Sequence, residues 1–462
     1  MTNKINRKEE EKNRITLWST LIVVLNFGVF YFSWVFFSKH GHFGFDTSFS
    51  VITYTLLFIT YIALFIFFIN IYDALAFGRR KIIENIYSLT LSCLLTNFIF
   101  YFLDTLAFRK FYPIWYILIA SIIQLIINSY YCKHANTVYF KDYKPKKSLI
   151  IYREEYDLLK LDYIPFFEKK FNIVKKIENP KSYRSIASEL NEYEMIFISG
   201  IKATLRNGII KHCVNSDIET YVVPHVGDII VTGGKYIEEL PVPMLSIDRA
   251  HPNRVYLFSK RCFDIFVAGC ATIVLLPFML VTALAIKLYD GGPVLYKQVR
   301  LTKDRKKFTI LKFRSMKVDA EKEGVARLVS EKDNRITPIG RIIRAIRFDE
   351  LPQVFNILKG DMSIVGPRPE RPEIAEQYEK IYPSFKLRLQ VKAGLTGYAQ
   401  IYGKYNTEPI DKLKMDLYYI NKMSFLYDIQ LCFMTVKTLF MKESTAAIEE
   451  GKVIASKGRD SE

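Results

Sequence analysis

The sequence predicts a membrane protein, α-helical plus α/β. Its parts are an N-terminal four-helix transmembrane bundle, a degenerate Rossmann-like α/β domain, and a C-terminal domain with a re-entrant membrane helix and amphipathic surface helices. Three observations predict this. Half of the 462 residues are hydrophobic, and they gather in long blocks as membrane proteins arrange them. A middle region replaces those blocks with short apolar runs separated by polar, helix-compatible segments. Beyond it, a bilayer-length apolar run sits among basic residues in a chain of net charge +18. The boundaries follow: 1–135 for the bundle, 148–250 for the α/β domain, 254–442 for the last domain with its re-entrant helix at 262–288, and a polar tail at 443–462.

The first four apolar stretches, 15–38, 50–72, 86–103 and 113–131, are each near the ~20 residues that a ~30 Å hydrocarbon layer demands of a helix. Lys4, Arg7, Lys8, Lys12 and Arg14 precede the first, Lys39 stands alone in the first loop, and Arg79, Arg80 and Lys81 mark the second. Arg109 and Lys110 lie in the third loop, and Lys133, Lys141, Lys144, Lys146 and Lys147 follow the fourth helix. This bias places both ends of the bundle in the cytoplasm. The polar start "MTNKINRKEEEKNR" has no small-residue cleavage site before the first apolar run, so that run is expected to stay as an anchor. Cys93, Cys132, Cys213, Cys262, Cys270 and Cys432 are scattered without metal spacing, which fits packed thiols in a reducing compartment.

The runs "SLIIY", "FNIVKKI", "MIFIS", "TYVVP" and "PMLSI" read as strands of a small parallel sheet. A dinucleotide site would need glycines in the first strand-to-helix turn, yet that turn reads "YREEYD". Glu154 and Glu155 would repel a pyrophosphate there, so the domain is expected to be structural or regulatory.

The run "KRCFDIFVAGCATIVLLPFMLVTALAIKLYDGGP" poses a topological choice. Arg254, Lys260 and Arg261 precede its apolar part, and Lys287, Lys297 and Arg300 follow it. Crossing would export one basic flank against the positive-inside bias. Entering and returning keeps both inside. Pro277 supplies a break, because it gives no N–H to the carbonyl of Ile273 and crowds the preceding turn, and Thr272 or Thr282 is placed to satisfy exposed carbonyls. The alternative is a kinked spanning helix.

Downstream, "RITPIGRIIRAIRFDELPQVFNILKGDMSIVGPRPE" carries the chemistry. Arg341, Arg344 and Arg347 alternate with Ile339, Ile342, Ile343 and Ile346 as in a basic amphipathic helix, which suits an anionic membrane surface or phosphates. Asp349 and Glu350 stand before Leu351-Pro352. Adjacent carboxylates point apart, so one can attack phosphorus while the other holds a divalent cation; the same pair also suits a helix start. Arg368 between Pro367 and Pro369, with Lys312 and Arg314 of "KFRSM", would complete a basic neighbourhood for an anionic ligand.

At these residues the sequence resembles the bacterial sugar transferases, the monotopic phosphoglycosyl transferases, of the large undecaprenyl-phosphate glucose/galactose phosphotransferase type that serves exopolysaccharide biosynthesis. The matching pieces, in order over 259–404, are "SKRCFDI", "GGPVLYKQVR", "FTILKFRSM", "RFDELPQVFNILKGDMSIVGPRPE" and "KAGLTGYAQIYGK". The resemblance implies transfer of a sugar-1-phosphate from a UDP-sugar to undecaprenyl (polyprenyl) phosphate, releasing UMP and initiating capsule or exopolysaccharide synthesis. It implies Asp349 as the nucleophile that carries the phosphosugar and Glu350 as the Mg²⁺ ligand. It also implies Arg344 as a supporting phosphate contact, and Arg314, Arg368 and Lys312 as nucleotide or phosphate contacts. The family's re-entrant helix would place its break at Pro277, although Leu276 stands where the family often has serine.

The implied location is the bacterial inner membrane, multi-pass, with the catalytic domain on the cytoplasmic face in contact with membrane lipid. The competing class is a membrane-anchored regulatory or scaffold protein that holds anionic lipid through its basic region. Nucleic acid is not an expected partner, because the basic region is interleaved with a bilayer-length run and has no docking motif. The sequence leaves the oligomeric state open, a homo-oligomer included.

Overall fold

The computed structural model describes residues 2–37, 51–109, 111, 113–141, 143–159, 164, 166–237, 242–318, 335–403 and 407–439. The expected tail 443–462 and the first loop with Lys39 lie outside the described residues, as does Lys110. The chain forms two compact units, Met1–Val223 and Pro224–Glu462.

The first unit opens with four helices, α1 Thr2–Phe37, α2 Val51–Tyr72, α3 Ile82–Phe108 and α4 Trp115–Lys141. Each contains a stretch long and apolar enough to cross a membrane; α1, α3 and α4 run further than the apolar stretches alone foretold, and α2 matches its stretch to within one residue. Lipid gives helices little hydrophobic reason to associate, so packing and interhelical hydrogen bonds must hold them. Phe30 stacks on Tyr61 at 4.0 Å. Beside them, Asn97 accepts from the Tyr61 hydroxyl at 2.9 Å and donates to Gln124 at 2.8 Å, and Asn26 donates to Asn128 at 2.9 Å. This polar chain links all four helices.

The same unit continues into a parallel sheet of β1 Lys146–Tyr152, β2 Phe171–Glu178, β3 Met195–Ser199 and β4 Glu219–Val222, in the order β2-β1-β3-β4. β3 is buried along its whole length, as a central parallel strand should be. The strand order reverses between β1 and β3, where such folds open a ligand crevice. Here the buried Asp157 carboxylate occupies the place: it accepts from the Glu154 N–H at 3.3 Å, and a Cβ on Gly200 would collide with it. An acid in that position opposes a pyrophosphate.

The fifth expected strand belongs elsewhere. "PMLSI" contributes β6, Met244–Ser246, which pairs antiparallel with β5, Lys235–Ile237, in a two-stranded ribbon of the second unit. Pro243 beside it withholds an N–H group that a longer central strand needs.

The second unit is organised by one helix, Arg254–Asp290. The Asn253 side chain caps its start by accepting from the Val255 N–H, and Gly291 ends it in the left-handed conformation at φ 68°, the usual role of glycine at that site. The expected break at Pro277 is not a break in helical structure, since the helix is continuous through the proline. Thr272 and Thr282 bond the carbonyls of Ala268 and Phe278 in their own turns rather than that of Ile273. One missing hydrogen bond in a helix of 37 residues leaves enough others to carry it.

The rest of this unit comprises the antiparallel hairpin β7 Leu295–Leu301 and β8 Lys307–Phe313, the helices Pro338–Ala345, Gln353–Lys359, Pro409–Asn421 and Phe425–Leu439, and the short parallel pair β9 Ser363–Val365 and β10 Gly394–Thr396; Pro338–Ala345, Gln353–Lys359, Phe425–Leu439 and β9 pack directly on the long helix. Met362, Phe385, Leu413, Leu417 and Leu431 anchor the larger core. A smaller core joins Met279 and Ile286 of the long helix to Phe313 and Ile343. The last helix places Leu431 and Met434 in the interior and leaves Leu426 outside.

Candidate active site

The helix Pro338–Ala345 starts with Pro338 in its first turn and with Thr337, whose hydroxyl accepts from the Gly340 N–H at 2.9 Å. It is shorter than the isoleucine and arginine spacing suggests. Arg347 takes φ 57°, which costs a residue with a Cβ about 1 kcal/mol and turns the chain. Arg347 therefore leaves the helical face it was expected to share with Arg341 and Arg344. The turn leads straight into a single 3-10 turn, Phe348–Glu350, which carries both acids.

Glu350 is gripped from two sides. Lys312 on β8 donates to its Oε1 at 2.7 Å, and Arg368 donates to the same oxygen at 3.2 Å. Burial works to raise the Glu350 pKa, but Arg368 and Lys312, with Arg347 beyond them, overrule it and hold the carboxyl at about 2. Asp349 behaves oppositely. Burial raises its pKa above the ordinary aspartate value and the neighbouring Glu350 charge adds to the rise, while Lys312 and Arg344 offset part of it. Two adjacent acids thus have environments that push their protonation apart, which suits different roles.

Five of the residues expected from sequence, Asp349, Glu350, Lys312, Arg344 and Arg368, form this electrostatic cluster. Arg314 lies at the end of β8 and turns to pair with Asp290. Its side chain is only 7 % exposed, and its Nε and Nη1 are buried without a hydrogen-bond partner. A buried guanidinium with idle donors is costly unless something accepts from it, so an anionic or carbonyl-rich ligand fits there. The close approach of this guanidinium to Gly292 leaves no room for a Cβ. Pro277 lies inside the long helix, next to Phe278, whose ring centroid is 6.5 Å from that of Phe348 in the turn that carries the acids.

Sequence reasoning missed Asp290, Arg300, Glu370, Arg388 and Asp416. Asp290 and Gly292 sit at the edge of the quoted "GGPVLYKQVR", but nothing in the sequence says that they enclose Arg314. Among the described residues, no three His, Cys, Asp or Glu side chains converge. Two adjacent carboxylates still fit magnesium, which is commonly held by one or two carboxylates together with substrate phosphates and water.

The profile of the family described as "Bacterial sugar transferase" matches residues 255–442. The chain is 39% identical over 216 residues to the UDP-N-acetylgalactosamine-undecaprenyl-phosphate N-acetylgalactosaminephosphotransferase of Aeromonas hydrophila, covering 44% of this chain and 51% of that protein. It is 34% identical over 241 residues to the UDP-glucose:undecaprenyl-phosphate glucose-1-phosphate transferase of Escherichia coli K12, covering 51% and 52%. The chain thus spans about half the length of these two relatives. With the exopolysaccharide production protein PSS of Rhizobium leguminosarum it shares 42% identity over 191 residues, which is 39% of this chain and 94% of the other. The match to nearly the whole of that protein, together with the profile match over 255–442, shows that this membrane protein belongs to the bacterial sugar transferase family.

Proposed function

We propose that the chain transfers a sugar-1-phosphate from a UDP-sugar to undecaprenyl or another polyprenyl phosphate, through a phosphosugar carried on Asp349. A carboxylate oxygen of Asp349 attacks the β-phosphorus, the bond from that phosphorus to the oxygen bridging the α-phosphate breaks, and UMP leaves. A phosphate oxygen of the polyprenyl phosphate then attacks the same phosphorus, releases the carboxylate and forms the lipid diphosphate sugar. The observation that carries this reading is the pairing of a half-buried aspartate of raised pKa with a glutamate locked by Lys312 and Arg368. Relatives named for UDP-sugar and undecaprenyl-phosphate substrates support it.

Lys312 and Arg344 lower the repulsion between an attacking carboxylate and an anionic donor, and the idle donors of Arg314 suit the diphosphate or the nucleotide. Magnesium held by Glu350, and by Asp349 until it reacts, would neutralise phosphate charge.

The long helix fits entry into one leaflet and return. Near its start, Arg261 donates to the carbonyls of Ile357 and Leu358 at 2.7 Å each, and Lys260 pairs with Asp428 at 2.7 Å. At its end, Asp290 pairs with Arg314. Between them Met279 and Ile286 pack on Phe313 and Ile343. A spanning helix would carry a polar hairpin strand and an arginine-bearing helix into hydrocarbon, where their backbone ends would lack partners. Its exposed Phe266, Ile273, Val274 and Val281 would then meet acyl chains from one side. This reading places the catalytic unit at the cytoplasmic face of a bacterial inner membrane.

The test is purified full-length protein with magnesium, UDP-N-acetylgalactosamine, UDP-glucose and other UDP-sugars, with and without polyprenyl phosphate. UMP release and a phosphosugar adduct on Asp349 by mass spectrometry are expected, and both vanish in Asp349→Asn. No UMP with any donor, or full activity in that variant, overturns the proposal.

A further inference from the structure

The segment Gly366–Arg371 reads "GPRPER". Two prolines remove two N–H donors and restrict the backbone, but they do not by themselves say where the arginine between them points. In the fold, four successive carbonyls of this segment are tied to four different groups. The Pro367 carbonyl accepts from the Gly394 N–H at 2.9 Å, and the Glu370 carbonyl accepts from the Leu301 N–H at 3.0 Å. The Arg368 carbonyl accepts from Arg388 Nη2 at 3.0 Å, and that of Pro369 from Arg300 Nη1 at 3.4 Å. Gly366 and Gly394 approach so closely that a Cβ on either would strike backbone. With its main chain fastened on every side, the segment directs the half-exposed Arg368 side chain to Glu350.

Arg388 is the keystone of this arrangement. It is 3 % exposed, and all three of its nitrogens are used: Nε bonds Asp416 at 2.7 Å, Nη1 pairs with Glu370 at 3.4 Å, and Nη2 holds the Arg368 carbonyl. Its guanidinium carbon lies 5.0 Å from the Phe385 ring centroid. Asp416, on the helix Pro409–Asn421, is also buried. Taking such a pair out of water is expensive, and apolar residues of similar volume stabilise a core as well or better. Stability alone therefore does not account for a buried charged group with two arms on this segment and one on the helix Pro409–Asn421. A planar fork can meet three acceptors in fixed directions, and an ammonium on a flexible stem cannot.

From this geometry we infer that Arg388 is a positioning residue for the transfer reaction. Oriented by Asp416 and Glu370, it fixes the Pro367–Pro369 backbone so that Arg368 keeps Glu350 in place beside Asp349. The inference rests on the reaction described under Proposed function. It assigns Arg388 no contact with substrate: its influence passes through Arg368.

A double-mutant cycle in the full-length protein tests it, with UMP release measured for wild type, Arg388→Lys, Arg368→Ala and the pair. Each single change is expected to lower kcat by about 100-fold, the scale of a small misplacement in a catalytic constellation. The pair should be no slower than the worse single variant, because both remove one arrangement. Losses that multiply, or a wild-type kcat in Arg388→Lys, overturn the inference. So does failure of Arg388→Lys to fold in a thermal melt, since the residue is then a structural element alone. Hydrogen–deuterium exchange of the peptide covering 363–374 separates this inference from the reaction itself. Exchange should quicken in Arg388→Lys, and unchanged exchange counts against the inference even if wild type releases no UMP from any donor.

Discussion

Lys312 Nζ lies 2.7 Å from Glu350 Oε1, joining a hairpin strand to the 3-10 turn that carries both acids. Lys312 stands directly opposite Tyr296 in the hairpin, so its position is set by sheet register rather than by a flexible loop. The same ammonium helps keep Glu350 ionised and pulls against the raised pKa of Asp349.

The pH dependence follows from that double role. In the proposed reaction Asp349 attacks as a carboxylate, and burial raises its folded pKa above the ordinary aspartate value, so UMP release should decline at a higher pH than an ordinary aspartate would set. Removing a nearby cation disfavours the carboxylate further. In Lys312→Ala the acid limb of the pH–rate profile should therefore move to higher pH. A limb that stays in place or moves to lower pH contradicts the electrostatic account of the site.

Arg314 offers a separate test. In the proposed reaction its buried, idle Nε and Nη1 take their partners from the bound donor, so Arg314→Lys should weaken donor binding. A loss of a charge-assisted hydrogen bond is worth roughly 1.5–3 kcal/mol, or about tenfold to a hundredfold in Kd by calorimetry. Unchanged donor affinity would mean that the Asp290 pair is the residue's whole role.

Topology can be read by accessibility. If the long helix enters and returns, cysteines placed at the exposed His251 and Lys297 in a background without other cysteines should both be labelled from the cytoplasmic side only. Labelling of one from each side would establish a spanning helix.

The bundle makes a prediction of its own. Asn97 bonds Tyr61, Ser121 and Gln124, so Asn97→Leu should strand their polar groups and lower stability in detergent. Interhelical bonds in membranes average about 0.6 kcal/mol each, which puts the expected loss on the order of 1–2 kcal/mol. No change in the unfolding midpoint would mean that the network is not what holds the helices.

Much of the architecture is local and therefore legible in one dimension. Bilayer-length apolar runs declare helices because a helix satisfies its own backbone and needs only length and hydrophobicity. The runs that became β1 to β4 show themselves by composition for a similar reason. β6 does not, because a three-residue run carries no record of its partner, and pairing with Lys235–Ile237 rather than with the sheet is a choice among distant strands. Pro277 costs the long helix one backbone hydrogen bond without ending it, because the rest of the helix and the packing along it carry the segment.

By itself the sequence determined the long apolar helices, the α/β middle, and an acid pair among basic residues, because these depend on side-chain type and near-neighbour spacing. Only the tertiary structure decided that Lys312 and Arg368 share one oxygen of Glu350, that Arg314 faces Asp290, and that Arg388 and Asp416 lie buried behind Arg368. Those groups are far apart along the chain. What brings them together is the burial of apolar surface between a long helix, a hairpin and the helices around them, and that burial fixes the field each acid experiences.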